Sequence, residues 1–185
     1  MGQSMQYKMP TSRRELVATL EAVHAQATTV WDRFSAREFY ASPASGGWSP
    51  AQNVTHLVKS TLAVTRALRF PRMILRVLFG ASRRPSRTFA ELRADYKSAL
   101  AAGAGAGEHA APELRPSDEA AARQRLLARW RDLLPALRSA ILRWDEDSLD
   151  HYRLPHPILG KVTVREMLYF TIYHIGHRAE IVATR

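Results

Sequence analysis

Apolar residues recur along this chain at the spacing of a helix face. In the first such segment they follow one another at intervals of three and four, at Leu16, Leu20, Val23, Ala27, Val30 and Phe34. This period is that of an amphipathic helix. Ser12 and Glu15 fit a capping box at its start, in which each side chain bonds to the other residue's backbone. His24 lies beside the stripe, and we interpret it as structural.

Three more long segments have the same period. Ser49 followed by Pro50 predicts the start of the second helix, because Ser is a good N-cap and proline suits the first helical position. Pro71 predicts its end. The third helix carries a stripe at Leu126, Trp130, Leu133, Leu137 and Ile141. The fourth begins near Thr163, a plausible N-cap, with Glu166 three residues later.

The connections complete the expected fold. The pieces "PRMILRVLFG" and "RTFAELRADYKSAL" predict short helices between the second and third long ones. Residues 101–116, rich in Ala and Gly, predict a flexible linker. We interpret residues 35–49 and 145–161 as loops, and no segment alternates as a strand would. The expected fold class is therefore all-α, a four-helix bundle in a single domain spanning residues 1–185.

Composition limits the chemistry. The chain has no cysteine, so any bound metal must use His, Asp, Glu or water as ligands. No apolar run approaches the roughly 18 residues that a membrane span needs. The N-terminal segment lacks the apolar region of a signal peptide, so a cytoplasmic location is expected.

The formal charge of +10 is unevenly distributed. Residues 66–93 hold eight arginines and one acid, Glu91. The segment is either a solvated arginine-rich face or a surface for an acidic ligand, anionic lipid or nucleic acid. Without a nucleic-acid motif or interleaved aromatic residues, we do not expect a nucleic-acid partner. The apolar "MILRVLF" within it could cover the bundle's own core or a second subunit, and we expect a homodimer.

The last helix holds the candidate chemistry, in "FTIYHIGHRAEIV". Its apolar stripe, which should face inward, is Met167, Phe170, His174, His177 and Ile181. The competing stripe, which should be exposed, is Glu166, Tyr169, Tyr173, Gly176 and Glu180. A buried histidine needs partners for both ring nitrogens. A metal ion would supply one partner, and the alternative is a hydrogen-bonded polar core.

His56, in "NVTHL", is the best candidate for a third ligand. It falls opposite the apolar face of the second helix, on a side that is either solvent or a cleft lined by small residues. The spacing does not choose between these. His151 and His156 lie in the loop before the last helix, where they could line the mouth of a site or shape the loop.

Two segments resemble the DinB-like superfamily of bacterial proteins: "GGWSPAQNVTHL" and "HPILGKVTVREMLYFTIYHIGHRAEI". The resemblance implies a four-helix bundle that holds a divalent metal ion through a histidine on the second helix and two residues on the last. His56 matches the first of these. The family's pair on the last helix is spaced by four, which here would join Tyr173 to His177 or His174 to Arg178. The helix periodicity favours His174 with His177.

The expected metal set is therefore His56, His174 and His177, with zinc or nickel as the metal. The family includes thiol-dependent transferases, so the resemblance implies a metal-dependent transferase or hydrolase acting on a small molecule. Because the chain has no cysteine, a low-molecular-weight thiol would have to be a cosubstrate. The alternative is a non-catalytic stress-response or binding bundle with a degenerate site. We expect His56 to lie within metal-bridging reach, about 4 Å between nitrogens, of His174 or His177. A His56 that points to solvent or lies more than about 8 Å from both would favour the degenerate bundle.

Overall fold

Four long helices pack around one core, and they confirm the predicted all-α four-helix bundle. The structure is a computed structural model that describes residues 9–44, 46–105 and 111–184. In chain order its elements are α1 (Arg13–Asp32), α2 (Ala36–Tyr40), α3 (Pro50–Arg69), α4 (Arg72–Phe79), α5 (Phe89–Ala101), α6 (Glu119–Leu142), α7 (Glu146–His151), β1 (Arg153–His156), β2 (Gly160–Thr163) and α8 (Val164–Ala183). The long helices are α1, α3, α6 and α8. The helix α3 packs against α6 and α8, and α1 packs against α8 and α6.

The predicted helix starts are confirmed by their caps. Ser12 and Thr163 each form a capping box with the glutamate three residues later. Ser49 caps α3, whose first residue is Pro50, and α3 ends at Arg69 as Pro71 predicts. The two short helices expected between the second and third long ones are α4 and α5.

Two predicted loops are wrong. Residues 145–161 contain α7, β1 and the first half of β2, and the strands pair antiparallel with Leu154 opposite Val162. Both side chains are buried, which anchors the hairpin to the core. Each strand has only four residues, too few for alternation to stand out. The other predicted loop contains α2, which Ser35 and Glu38 cap and whose Phe39 is fully buried.

The stripe of α8 that was expected to face solvent is largely buried, so that prediction is wrong. Glu166 has no exposed surface, and Tyr169 is only 6% exposed. The prediction assumed an unpaired carboxylate, whose burial would cost several kcal/mol. Arg84 and Arg87 instead donate hydrogen bonds to Glu166, at distances from 2.6 to 3.2 Å.

The predicted linker lies partly outside the described residues, since 106–110 are not among them. Next to that gap, Ala111 is buried, and its carbonyl accepts a hydrogen bond from Nε2 of Gln52 at 3.3 Å. The linker's flexibility stays a prediction. Within the described ranges, no helix is long and apolar enough to cross a membrane.

Candidate functional site

A cavity of about 900 Å³ lies between α3, α5, the β1–β2 hairpin and α8. Its polar lining includes His56, Lys59, His156, His174, His177 and Arg178. Its apolar and aromatic lining includes Trp48, Val64, Tyr96, Leu100, Ile158 and Phe170. Among the described residues that line it, none is Asp or Glu. The cavity therefore presents basic and apolar groups to whatever enters it.

His56 and His174 meet at the cavity wall. Their Nε2 atoms are 3.1 Å apart, and the two residues are 7% and 5% exposed. The expectation that His56 would come within metal-bridging reach of a histidine on the last helix is confirmed. The spacing of α3 left open whether His56 faces solvent or a cleft, and in the structure it lines the cavity.

Arg178 completes the polar group, one turn after His174. Its Nε–H donates to Nε2 of His174 at 3.4 Å, and its Nη1 donates to Oδ1 of Asn53 at 3.5 Å. Its guanidinium lies over the Trp48 ring, 4.4 Å from the ring centre. A guanidinium can only donate, so Nε2 of His174 must carry a lone pair. His56 then donates to the same nitrogen through its own Nε2–H.

The electrostatics of this cluster keep His174 neutral. Burial lowers the pKa of His174 well below its usual range, and the nearby His56 and Arg178 lower it further. Burial also lowers the pKa of the Arg178 guanidinium. No carboxylate among the described residues forms an ion pair with Arg178. Arg178 is thus a partly buried cation whose charge is not balanced by any carboxylate of the described residues.

The third predicted ligand, His177, has a different neighbour. It is partly buried at the cavity wall, and its ring stacks on Tyr173 with centroids 5.4 Å apart and planes within 8°. Burial lowers the pKa of His177 as well. Within the parts of the chain that the structure describes, no three His, Cys, Asp or Glu side chains form a group that could hold a metal ion.

The residues present fit a metal ion only in part. Two nitrogens bound to one ion at roughly 2.1 Å lie about 3 to 3.4 Å apart, which suits His56 and His174. The next nitrogen at the pair belongs to Arg178, a cation that donates and cannot ligate. The three-histidine set is therefore not assembled in the described residues, and metal binding itself stays a prediction.

His156 also belongs to the site. The sequence left open whether it lines the mouth of a site or shapes the loop before the last helix. It is 6% exposed, lines the cavity and packs against Phe170 with ring centres 4.1 Å apart. Its Nδ1 accepts backbone N–H groups from Ile158 at 3.1 Å and Leu159 at 3.0 Å. His156 therefore both shapes the hairpin turn and lines the site. His151 is exposed and lies against Tyr152.

Fold and site together define a helical bundle with a basic cavity where a histidine of α3 meets one of α8, and the described residues that line this cavity include no carboxylate. The family model of the DinB superfamily matches residues 19–182, and the chain belongs to that superfamily. No curated protein and no solved structure matches the chain. The resemblance seen in its two motifs is thus confirmed at the level of the family.

Proposed function

We propose that this DinB superfamily protein binds a small organic anion in the cavity, with Arg178 as the charged contact and neutral His174 beside it. The observation that carries the proposal is Arg178 itself. It is a partly buried guanidinium in a cavity wall, without a carboxylate partner among the described residues. A buried charge is costly unless it is paired. A carboxylate, phosphate or thiolate ligand would supply the missing charge.

The orientation of Arg178 supports this role. Trp48, Asn53 and His174 hold the guanidinium through its ring face, Nη1 and Nε. A guanidinium fixed in this way loses little freedom when it forms charge-assisted hydrogen bonds, and its planar fork matches a carboxylate. Lys59 lines the same cavity and adds positive potential.

The apolar part of the cavity supports a ligand with an apolar body. Phe170 and Tyr96 pack edge to face with ring centres 4.9 Å apart, and Leu100 and Ile158 line the cavity with them. Small-molecule sites are usually apolar with a few fixed polar groups. The cavity volume of about 900 Å³ is within the usual range for such sites.

The state of His174 disfavours it as a general base. A general base works best when its pKa lies near the working pH. Burial lowers the pKa of His174 well below its usual range, so its lone pair is a weak base at neutral pH. The neutral ring suits both the contact with Arg178 and the coordination of a metal ion.

Isothermal titration calorimetry tests the proposal with benzoate and its uncharged analogue benzamide. Benzoate should bind more tightly, and Arg178→Gln should weaken benzoate binding about tenfold or more, since a hydrogen bond to a charged group contributes about 1.5–3 kcal/mol. The matched control is Arg125→Gln, on the exposed surface of α6. Equal affinities for benzoate and benzamide, or an unchanged affinity in Arg178→Gln, would refute the proposal.

A second candidate rests on the 3.1 Å separation of the His56 and His174 nitrogens. These two side chains would hold a divalent metal ion such as zinc or nickel, with Arg178 displaced from His174. The ion would supply Lewis acidity for the transferase or hydrolase chemistry implied by the family resemblance, with a small thiol as cosubstrate. Mass-spectrometric metal analysis after reconstitution tests it. His174→Gln should remove the metal and His151→Gln should not, whereas a content below about a tenth of an ion per wild-type chain would exclude this candidate.

A further inference from the structure

An exposed apolar patch lies on and beside α4, away from the cavity lining. Its members, which we call the α4 patch, are Phe70 (53% exposed), Met73 (75%), Ile74 (42%), Val77 (78%) and Leu78 (59%). Only two other large apolar side chains among the described residues are exposed, Met9 and Leu142. Scattered apolar residues on a surface are ordinary, but a contiguous group marks an interaction site.

The patch is held facing outward. On the opposite side of α4, Leu75 is only 1% exposed and belongs to the hydrophobic core, and Phe79 packs against this core. Arg72 donates to Asp145 at 3.0 Å and to the carbonyl of Arg143 at 2.9 Å, which ties the start of α4 to the body. The apolar side chains of the patch therefore cannot turn inward without removing Leu75 from the core.

Four exposed arginines flank the α4 patch along the chain. Arg66, Arg69, Arg76 and Arg83 are exposed. No carboxylate among the described residues forms an ion pair with any of the four. From residue 50 to residue 90 the sequence has eight basic residues and no acidic one. The chain around the apolar patch is therefore basic, and Asp145, a carboxylate beside the start of α4, is paired with Arg72.

We propose that the α4 patch and these four arginines dock the protein on an anionic lipid surface. An amphipathic helix of this kind lies in the membrane interface, with its apolar face at the boundary of the acyl chains and its basic residues among the headgroups. The proposal concerns the surface only and does not depend on what the cavity binds. Neither part alone provides stable attachment. The two parts are neighbours along the chain, because Arg66 and Arg69 end α3 just before Phe70, Arg76 lies within α4 and Arg83 follows α4.

Charge complementarity separates this partner from the two other candidates. A second copy of the chain would bring two sets of unpaired arginines together, and like charges repel. A nucleic acid would satisfy the arginines but would leave the five apolar side chains against phosphates. An anionic bilayer is the one of the three that offers negative charge and apolar depth together.

Vesicle co-sedimentation at low salt tests the proposal. Binding to vesicles of equal parts phosphatidylglycerol and phosphatidylcholine should be at least about tenfold stronger than binding to phosphatidylcholine alone, since each basic residue near an anionic surface adds attraction. Arg69→Glu with Arg76→Glu should remove that preference. Arg125→Glu with Arg129→Glu, the same change of charge on the exposed face of α6, should leave most of it.

Met73→Ser with Val77→Ser tests the apolar part without changing charge, and should weaken binding about tenfold. Both side chains are more than 70% exposed, so the variant should fold, which circular dichroism checks. Val77→Ser alone is the second variant if the pair misfolds. Equal binding to both vesicle types would overturn the proposal, and so would an equal loss of binding in the α6 control. A dimer seen by light scattering that the variant Met73→Ser with Val77→Ser dissociates would overturn it as well. Preferential binding to duplex DNA that persists in the serine variant would also overturn it.

Discussion

The two halves of α8 hold charged side chains in opposite ways. In the first half, Glu166 is fully buried between Arg84 and Arg87. Its neighbour Arg165 is 7% exposed and forms ion pairs with two carboxylates of the α7 segment. In the second half, Arg178 is partly buried against a tryptophan, an amide and a neutral histidine, with no carboxylate partner among the described residues.

This difference indicates that the charged side chains in the two halves of α8 have different roles. Breaking an ion pair at a buried carboxylate is destabilising, because removing one side leaves a charge without its partner in a partly buried site. A buried cation with only neutral neighbours stabilises the fold little, and it is retained at a cost. We infer that the first half of α8 fixes the α4–α5 segment to the bundle, and that the second half is arranged for a ligand.

The largest expected effect is that of Glu166→Gln. The variant leaves Arg84 and Arg87 without their shared carboxylate, and the free energy of unfolding should fall by about 3 kcal/mol. Urea denaturation measures it. Glu113→Gln is the control, because its ion pair with Arg115 is exposed on both sides and should contribute less than about 1 kcal/mol. A similar decrease in the free energy of unfolding in both variants would contradict a structural role for Glu166 beyond that of an exposed ion pair.

The pH dependence of stability should reflect the same carboxylate. Burial alone would raise the pKa of Glu166, but hydrogen bonds from Arg84, Arg87 and the backbone N–H of Thr163 outweigh it and lower the pKa to about 2. The unfolded chain therefore takes up this proton first, near pH 4.5. The stabilisation is complete above that pH and is lost as the pH falls towards 2. Between pH 5 and pH 3 the wild type should lose about 2 kcal/mol more than Glu166→Gln does. Parallel pH profiles for the two proteins would refute this.

Matched methionine substitutions compare the two arginines of α8 directly. Arg165→Met should lower the free energy of unfolding by about 1 to 2 kcal/mol, because its partners Glu146 and Asp150 are themselves partly exposed. Arg178→Met should raise it by up to about 1 kcal/mol, because methionine removes a partly buried charge that has no carboxylate partner among the described residues. Thermal unfolding without added ligand measures both. A loss of stability in Arg178→Met as large as that in Arg165→Met would mean that Arg178 is structural.

The sequence predicted the bundle and the contact between His56 and the last helix for identifiable reasons. Capping boxes and proline positions are local signals, so helix starts such as Thr163 were confirmed. The meeting of His56 with His174 followed from the inward stripe of the last helix and from the family motif. The burial of Glu166 was missed because its partners lie about 80 residues earlier in the chain, and a helix period carries no information on them.

Helix periodicity also cannot predict whether His177 or Arg178 lies beside His174. The two residues are adjacent, and a helix turns by about 100° per residue, so a small rotation of α8 decides which one lies beside His174. In the structure Arg178 lies there, and His177 stacks on Tyr173. The family's spacing of four between the two residues of its last helix was thus the better guide to the contact, although it joins a histidine to an arginine.

Anion binding at Arg178 is tested most directly by a crystal structure with 4-bromobenzoate, whose bromine can be located by anomalous scattering. The carboxylate should lie within about 3 Å of the Arg178 guanidinium nitrogens, with the ring among the aromatic residues of the cavity. The same soak of Arg178→Met should leave the cavity without the ligand. Bromine density elsewhere, or a ligand in the cavity whose carboxylate points away from Arg178, would contradict the claim that this arginine is held for an anion.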